Sequence, residues 1–335
     1  MQSLPKIIFG TSSLGNLYKT LEHQEKTAII KSIFKYSNGP VVLDSAGKYG
    51  AGLALESIGD ALRELNIKPG QVTISNKLGW LRTKLSTPEP TFEPGVWKGL
   101  KYDAIQKISY LGILECFEQG LDLLGGYMTQ MVSVHDPDEY LASATSTEEQ
   151  AERYQDIKDA YRALFDLKAA GKVKSVGIGA KDWKCVRNIT RDIKLDWVMI
   201  ANSMTLHSHP KELIQFMEVL KREQIPVINS AIFNGGFLLG GDFYNYKFVK
   251  PEDDQGKELL SWRERFFNIC KLYGIQPVAA CMRFALSVPG THAIALGTSS
   301  PDKVRLNLEY IDQNIPESFW NDLALNQLIS SKLLI

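Results

Sequence analysis

The chain has 335 residues, which exceeds the usual length of one domain and leaves two possibilities, two domains or one large fold such as an α/β barrel. Apolar residues make up 44% of the chain and charged residues 23%, a composition typical of a globular protein and not of a disordered one. The 38 basic residues balance the 38 acidic ones, so no overall charge attracts the protein to nucleic acid or to an anionic membrane. We therefore expect a small, uncharged or weakly charged partner.

The cysteines and the hydropathy pattern exclude several classes of protein. Cys116, Cys185, Cys270 and Cys281 form no C-x-x-C pair and have no histidine-rich neighbourhood, so we expect reduced thiols, no metal site and no redox dithiol. The first ten residues, MQSLPKIIFG, lack the features of a secretory signal, and no run of about 18 apolar residues is available to span a membrane. These features predict a soluble, cytoplasmic protein.

Short β-branched runs alternate with longer amphipathic stretches, a pattern typical of βα units around a parallel sheet. The predicted strands are, in chain order, 6–11, 40–44, 71–77, 131–135, 172–179, 196–200, 225–231 and 292–297. The predicted helices lie near 22–37, 52–65, 107–124, 150–170, 182–193, 210–223, 257–289 (two helices) and 301–312. No linker divides the chain. Eight strand–helix pairs without a linker predict one (β/α)8 TIM barrel over residues 1–335.

Two helix boundaries carry clear signals. A serine precedes Pro301 and an acidic residue follows in the first turn, as is typical of a capped helix start. Gly171 follows a helical run directly, as a C-terminal cap would, and leads into the next predicted strand. Both signals support the order of helices and strands, and neither indicates a function.

Polar residues lie at the ends of three consecutive predicted strands. Strand two ends at Asp44 with Tyr49 in its loop, strand three ends at Lys77, and strand four ends at His135. In a TIM barrel, catalytic residues come from these strand ends and from the loops that follow them. Each residue alone has an ordinary structural explanation, such as a turn cap or a solvated strand end. Their coincidence at neighbouring strand ends favours one joint site with an acid–base pair.

The segments LDSAGKYGAGLALESIGDAL, ISNKLG, SVHDPD and ALGTSSPDKVRLN, in this order and spacing, resemble the aldo-keto reductase family over nearly the entire chain. The resemblance implies a (β/α)8 barrel and reversible hydride transfer between a nicotinamide cofactor and a carbonyl or alcohol carbon. It also implies that Asp44, Tyr49, Lys77 and His135 form the catalytic tetrad.

The implied roles agree with elementary chemistry. The ordinary pKa of tyrosine is about 10, so a nearby ammonium group on Lys77 would favour the phenolate of Tyr49. Asp44 would pair with Lys77 and keep it charged. His135 would orient the substrate oxygen by hydrogen bonding. The carboxylate at the end of strand two is therefore expected to have a lysine partner.

A finer resemblance concerns the branch of the family. Residues 228–246, INSAIFNGGFLLGGDFYNY, together with YRALFDLKAAGKVKSVGIGAKDW, resemble a branch that contains pyridoxal 4-dehydrogenase and aldose 1-dehydrogenases acting on L-fucose, L-galactose and D-threo-aldoses. This implies that Tyr49 removes the proton of the anomeric hydroxyl while hydride leaves C1, which gives a lactone. A glycine-rich rim loop would explain segment 228–246 equally. The alternatives are pyridoxal 4-dehydrogenase, a general aldehyde or ketone reductase, and a cofactor-sensing channel subunit with slow turnover.

The same resemblance implies where the cofactor binds. The segment ALGTSSPDKVRLN should hold the adenosine end against the N-terminus of the helix near Pro301. Relatives that prefer NADP often carry basic residues at the positions of Gly297, Ser299 and Lys303, and only Lys303 is basic here. We therefore expect NAD, with NADP tolerated. The expected cofactor-binding residues are Gly10, Thr11, Asn202, Ser230, Phe233, Asn234, Gly235, Leu238, Gly297, Thr298, Ser299, Lys303 and Asn307.

Some positions depart from the family pattern. Related sequences often carry an asparagine after strand five and an aromatic residue after strand six, where this chain has Lys181 and Met204. Asn202 remains available for the nicotinamide amide. The N-terminal hairpin is short, since strand one starts near Lys6. We expect a small sugar or aldehyde substrate, no nucleic-acid or membrane partner, and a monomer or weak homo-oligomer.

Overall fold

Eight parallel strands close into a barrel in the computed structural model of this protein, which describes residues 4–245 and 247–330. The order around the barrel follows the chain, so each barrel strand pairs with the next one, and the last pairs with the first. The predicted (β/α)8 barrel is confirmed. The strands in chain order are β1 Ile7–Gly10, β2 Val41–Ala46, β3 Val72–Leu78, β4 Trp80–Lys84, β5 Tyr102–Gln106, β6 Met131–His135, β7 Ser175–Ala180, β8 Trp197–Ala201, β9 Val227–Ser230, β10 Phe243–Tyr244, β11 Lys247–Phe248 and β12 Thr291–Gly297.

Helices surround the barrel and cover its outer apolar face. Every predicted helical region contains a helix, and region 257–289 contains two of them, as predicted. The short helix α4 and the C-terminal helix α11 are additional. The α-helices are α1 His23–Tyr36, α2 Leu53–Glu64, α3 Tyr110–Leu124, α4 Pro137–Ala142, α5 Thr147–Ala169, α6 Trp183–Asp192, α7 Lys211–Arg222, α8 Asp254–Tyr273, α9 Pro277–Ser287, α10 Pro301–Tyr310 and α11 Glu317–Leu325.

The cap predicted at the end of α5 is present, whereas the cap predicted at the start of α10 is not. Gly171 has φ +71° and donates its N–H to Lys168 O at 3.0 Å after α5, so the predicted C-terminal cap is confirmed. Ser300 precedes α10 with extended backbone, but its side chain makes no capping hydrogen bond. The hydroxyl of Thr298 instead accepts the Ser300 N–H at 3.2 Å. The boundary was therefore predicted correctly, and the capping contact was not.

An antiparallel hairpin of β4 and β5 interrupts the alternation between β3 and α3. Its connection, residues 85–101, reaches the loop after β1, where Tyr18 donates its N–H to Val96 O at 2.9 Å and Lys98 donates to Asn16 O at 3.0 Å. Since these bonds join the hairpin connection to the loop after β1, the insertion forms one wall at the carboxyl end of the barrel.

The barrel interior is filled by side chains from several strands. Ile8, Val42, Trp197, Met199 and Ile228 form one buried cluster inside it, with Trp197 fully inaccessible to solvent. A packed interior of this kind is typical of TIM barrels, in which the chemistry is confined to the carboxyl end. The polar candidate residues all lie toward that end.

In the part of the chain that the structure describes, Cys116, Cys270 and Cys281 are buried and Cys185 is partly buried. All four are free of disulfide bonds, as predicted. Burial raises the pKa of Cys116 to about 11 and the pKa values of Cys185 and Cys270 to about 12, so these groups stay protonated at neutral pH. Among residues 4–245 and 247–330, no helix is both long and apolar enough to cross a membrane.

Candidate active site

Asp44, Lys77 and His135 lie side by side near the carboxyl ends of β2, β3 and β6. All three are at most 4% exposed. The sequence placed the ends of strands two and three at Asp44 and Lys77, and this was wrong by one or two residues. The ladder between β2 and β3 continues past Asp44 until Ala46 lies opposite Lys77, and the ladder between β3 and β6 extends β3 to Leu78. The side chains still converge on the barrel mouth.

Asp44 and Lys77 form the predicted buried ion pair. Lys77 Nζ lies 2.5 Å from Asp44 Oδ2, and the Ser75 hydroxyl donates to Asp44 Oδ1 at 3.0 Å. Lys77 Nζ also donates to Ser45 O at 3.2 Å. Burial alone would lower the pKa of Lys77, but the Asp44 charge, the nearby Tyr49 and the hydrogen bond to Asp44 raise it above its usual value. The ammonium group is therefore charged throughout the neutral range.

Tyr49 is placed beside this pair by a tight glycine corner. Gly50 has φ +63°, and a Cβ there would lie 2.3 Å from Gly15 O, so only glycine fits next to Tyr49. Lys77 Nζ lies 4.8 Å from the centroid of the Tyr49 ring. The His135 ring meets the Tyr49 ring edge to face, with centroids 5.6 Å apart. The structure thus brings all four predicted catalytic residues together.

The protonation of Tyr49 differs from the sequence expectation. Burial raises its pKa, Lys77 lowers it and Asp44 raises it, and the net result is a pKa above the usual value of tyrosine. The expected effect of Lys77 is present, but burial outweighs it because a phenolate loses more hydration than a phenol. The resting group is a neutral phenol, which can donate a proton but accepts one only after ionisation.

His135 is neutral in this environment. Burial lowers its pKa well below the usual value, and the positive charges of Lys77, Lys48 and Lys181 lower it further. Its Nδ1 atom is buried and makes no hydrogen bond within the described part of the chain. Its Nε2 atom lies 3.7 Å from Asp136 Oδ2, too far for a strong hydrogen bond. The neutral ring therefore keeps hydrogen-bonding capacity for a ligand.

A network of charges beside the tetrad was missed from the sequence. Lys48, which precedes Tyr49, is only 3% exposed, and its Nζ lies 2.8 Å from Glu93 Oε1 and 3.1 Å from Glu139 Oε2. Lys181, at the position where relatives often carry asparagine, pairs with Asp136 at 3.3 Å and with Glu139. The one available signal was a lysine in GKYG beside the candidate tyrosine.

Several expected cofactor residues lie on the same edge of the barrel as the tetrad. Gly10, at the end of β1, is paired with both Asp44 of β2 and Gly297 of β12. The Thr11 hydroxyl donates to Asp44 O at 2.9 Å. Ser230 ends β9. Thr298 and Ser299 lead into α10, which carries the exposed Lys303 and the partly buried Asn307.

The loop after β9 contains residues of two kinds. Asn234 and Leu238 are fully buried, and Asn234 Nδ2 donates to Asn245 Oδ1 at 2.9 Å and to Asn202 O at 3.4 Å, so these side chains hold the loop together. Phe233 is partly buried and Gly235 is exposed. Tyr246, the last residue of segment 228–246, lies outside the described residues.

The residues at this edge fit a nicotinamide nucleotide. The side-chain oxygen of Asn202 is buried without a partner among the described residues, and a carboxamide N–H would satisfy it. The first turn of α10 presents N–H groups that favour phosphate. Met204 is fully buried, so its side chain is part of the core and does not replace an exposed stacking ring. Any stacking partner must come from another residue.

Comparison with known proteins agrees with this geometry. The model of the aldo/keto reductase family matches residues 6–325. The chain is 28% identical to the pyridoxal 4-dehydrogenase of Microbacterium luteolum, over 96% of this chain and 93% of that protein. It is 24% identical to the D-threo-aldose 1-dehydrogenase of a Pseudomonas species, over 98% and 95%. An aldo-keto reductase from Bacillus halodurans in its holo form shares the fold, with a TM-score of 0.68, 15% identity and coverage of 97% and 92%. The chain belongs to the aldo/keto reductase family of oxidoreductases.

Proposed function

We propose that this protein oxidises the hemiacetal carbon of a small cyclic substrate, C1 of a free aldose, to a lactone. Tyr49 serves as the general acid–base group. The observation that carries this proposal is the contact of the Tyr49 ring with both the Lys77 ammonium and the His135 ring at one barrel mouth. These side chains supply a proton-transfer group, a charge that stabilises its ionised form, and a neutral hydrogen-bonding ring.

The proton and the hydride leave by separate routes. Gly10, Asn202, Ser230 and the first turn of α10 would hold a nicotinamide nucleotide, which would supply the acceptor for the hydride of the hemiacetal carbon. Tyr49, ionised under the influence of Lys77, accepts the proton of the anomeric hydroxyl, so the C1–H and O–H bonds break while the C=O bond of the lactone forms. Lys77 remains charged because Asp44 holds it at 2.5 Å. Neutral His135 orients the reacting oxygen by a hydrogen bond.

A second candidate substrate is pyridoxal. The relative at 28% identity is named pyridoxal 4-dehydrogenase, and the aldehyde carbon of pyridoxal closes with the adjacent hydroxymethyl group into a cyclic hemiacetal. The same proton and hydride movements convert that carbon to a lactone. An aldose and pyridoxal differ in shape and polarity, so substrate selection rests on the loops around the mouth and not on the tetrad.

We propose NAD as the preferred cofactor, with NADP tolerated. Lys303 is the one basic residue expected near the 2′-position, and it is exposed on α10. A lysine offers a mobile point charge there, whereas an arginine would hold a phosphate with two parallel hydrogen bonds. The gain from Lys303 is therefore smaller than the discrimination that strict NADP enzymes need.

The proposed function is tested by a screen of L-fucose, L-galactose, D-threo-aldoses and pyridoxal with NAD⁺ and with NADP⁺, followed at the absorbance of the reduced nicotinamide. We expect turnover of at least one cyclic hemiacetal, with lactone as the product in mass spectrometry. Rapid reduction of open-chain aldehydes combined with no oxidation of any hemiacetal would favour the general reductase. Cofactor binding without turnover of any substrate would favour the regulatory subunit.

A further inference from the structure

A single buried ammonium group connects three segments of the barrel mouth. Lys48 Nζ lies within 3.5 Å of carboxylate oxygens of Glu93, Glu139 and Asp136. It also lies 5.1 Å from the centroid of the Trp80 ring. A lysine that is 3% exposed with three carboxylates around it is fixed in place, because any movement would leave a buried charge without partners.

The carboxylates belong to segments that carry the catalytic side chains or touch them. Lys48 itself precedes Tyr49 in the loop after β2. Asp136 follows His135 directly, and Glu139 lies one turn further on in α4. Lys48 therefore links the loop that bears the tyrosine to the segment that bears the histidine, through contacts outside the tetrad.

The third carboxylate extends the connection into the hairpin insertion. Glu93 lies in residues 85–101 with φ +46°, an unfavourable conformation for this residue type, and its two oxygens have different partners. Oε1 pairs with Lys48 at 2.8 Å, and Oε2 accepts the indole N–H of Trp97 at 2.7 Å. The Trp97 ring packs on the Tyr49 ring, with centroids 5.9 Å apart. Lys48 therefore also contacts Tyr49 indirectly, through Glu93 and Trp97 of the hairpin insertion.

We propose that Lys48 is a positioning residue, which holds the tyrosine loop, the His135–Glu139 segment and the Trp97 wall in one arrangement through Asp136, Glu139 and Glu93. This inference rests on the proposed function only for the roles of Tyr49 and His135. The connection itself is a property of the free protein. It is therefore measurable without a substrate.

The first test follows the ionisation of His135 in the free protein. The charged and titratable groups that face His135 come from five segments of the mouth, and Lys48→Met removes one of the three positive charges that lower its pKa. Lys48→Met should therefore raise the pKa of His135 by about one unit, the scale of one close charge. The facing groups are Lys77 from β3, Lys48 and Tyr49 from the loop after β2, Asp136, Glu139 from α4, and Lys181 after β7.

Nitrogen-detected NMR titration of the histidine rings measures this shift, with His135→Gln used to identify the resonance. Lys48→Arg keeps the charge and should leave the titration of His135 low. The matched control is Lys26→Met, which removes another buried lysine, 5% exposed, whose charged neighbours are Glu22 and Glu56. This control should lower stability without moving the titration.

The second test concerns the hairpin insertion and also serves if Lys48→Met fails to fold. Glu93→Gln keeps an acceptor for the Trp97 indole but removes the ion pair with Lys48. We expect amide hydrogen exchange in residues 91–98 to become about ten times faster, since the ion pair between Glu93 and Lys48 no longer holds this segment in place. In turnover, this variant should raise KM more than it lowers kcat.

The outcomes separate the positioning role from the proposed function. An unchanged His135 titration in Lys48→Met, or unchanged exchange of residues 91–98 in Glu93→Gln, would overturn the positioning role even if the wild type turns over a hemiacetal. The expected shifts in a protein that oxidises no substrate would support the positioning role and contradict the proposed function instead.

Discussion

Lys77 Nζ lies 2.5 Å from Asp44 Oδ2, and each side chain is at most 5% exposed. Asp44→Asn leaves the buried Lys77 charge without its carboxylate, so we expect a loss of about 3 to 5 kcal/mol in the free energy of unfolding. Urea unfolding followed by circular dichroism measures this loss. The control Asp312→Asn removes one partner of the exposed pair with Lys6 and should leave the urea midpoint unchanged. Equal midpoints for the two variants would contradict a buried, charged pair.

We expect the raised pKa of Tyr49, the proposed acid–base group, to determine the pH dependence of each direction of the reaction. Oxidation requires the phenolate, so its rate should rise with pH through the neutral range and keep rising beyond pH of about 10, the ordinary pKa of tyrosine. Reduction requires the phenol and should stay constant over the same range. Steady-state rates at saturating cofactor measure both profiles. An oxidation rate that levels off near neutral pH would show that another group, or a lowered tyrosine pKa, controls the step.

Lys77→Met should change the shape of the oxidation profile and not only its height. Lys77 is the group that lowers the Tyr49 pKa against the effect of burial, so its loss moves ionisation to still higher pH. The pH at which the oxidation rate is half-maximal, or the onset of its rise, provides the readout. A profile that is only scaled down, with no shift along the pH axis, would show that Lys77 does not control the ionisation of Tyr49.

Lys303 is expected to make a small contribution to the choice of cofactor. Lys303→Ala should reduce kcat/KM for NADP⁺ by less than about 100-fold, the limit for one partly exposed charge-assisted hydrogen bond, and should leave NAD⁺ nearly unchanged. Specificity constants for both cofactors in both proteins provide the comparison. A strong preference of the wild type for NADP⁺ that collapses in the variant would reverse the proposed cofactor preference.

The alternation of strands and helices made the barrel predictable. Most barrel strands are short, almost completely buried runs, and turns or amphipathic helices separate these runs, so periodicity alone identified all eight. The β4–β5 hairpin was not predicted, because its strands are only five residues each, half exposed, and joined through the proline-rich residues 85–101. Short, half-exposed strands give a weak alternation, and their pairing depends on tertiary contacts.

The grouping of Asp44, Tyr49, Lys77 and His135 was predictable because they lie at or just after the ends of neighbouring strands. The network around Lys48 was not, since Glu93 and Asp136 lie 45 and 88 positions along the chain, in segments whose approach depends on the closed barrel. The direction of the net pKa shift of Tyr49 was also not predictable from the sequence. The sequence predicts that Lys77 lies beside Tyr49, but it does not show how deeply Tyr49 is buried. This burial raises the pKa of Tyr49 more than the Lys77 charge lowers it.

The single-turnover rate of Tyr49→Phe tests the central claim, that Tyr49 transfers the proton, most directly. This change removes one hydroxyl and keeps the ring contacts with Trp97 and His135, so cofactor affinity should stay nearly the same. The control is Tyr127→Phe, which removes a hydroxyl bonded to Ile67 O. Hydride transfer in Tyr49→Phe should fall by about 100- to 10,000-fold, while Tyr127→Phe should retain wild-type rates. A Tyr49→Phe protein that transfers hydride at nearly the wild-type rate would contradict the assignment.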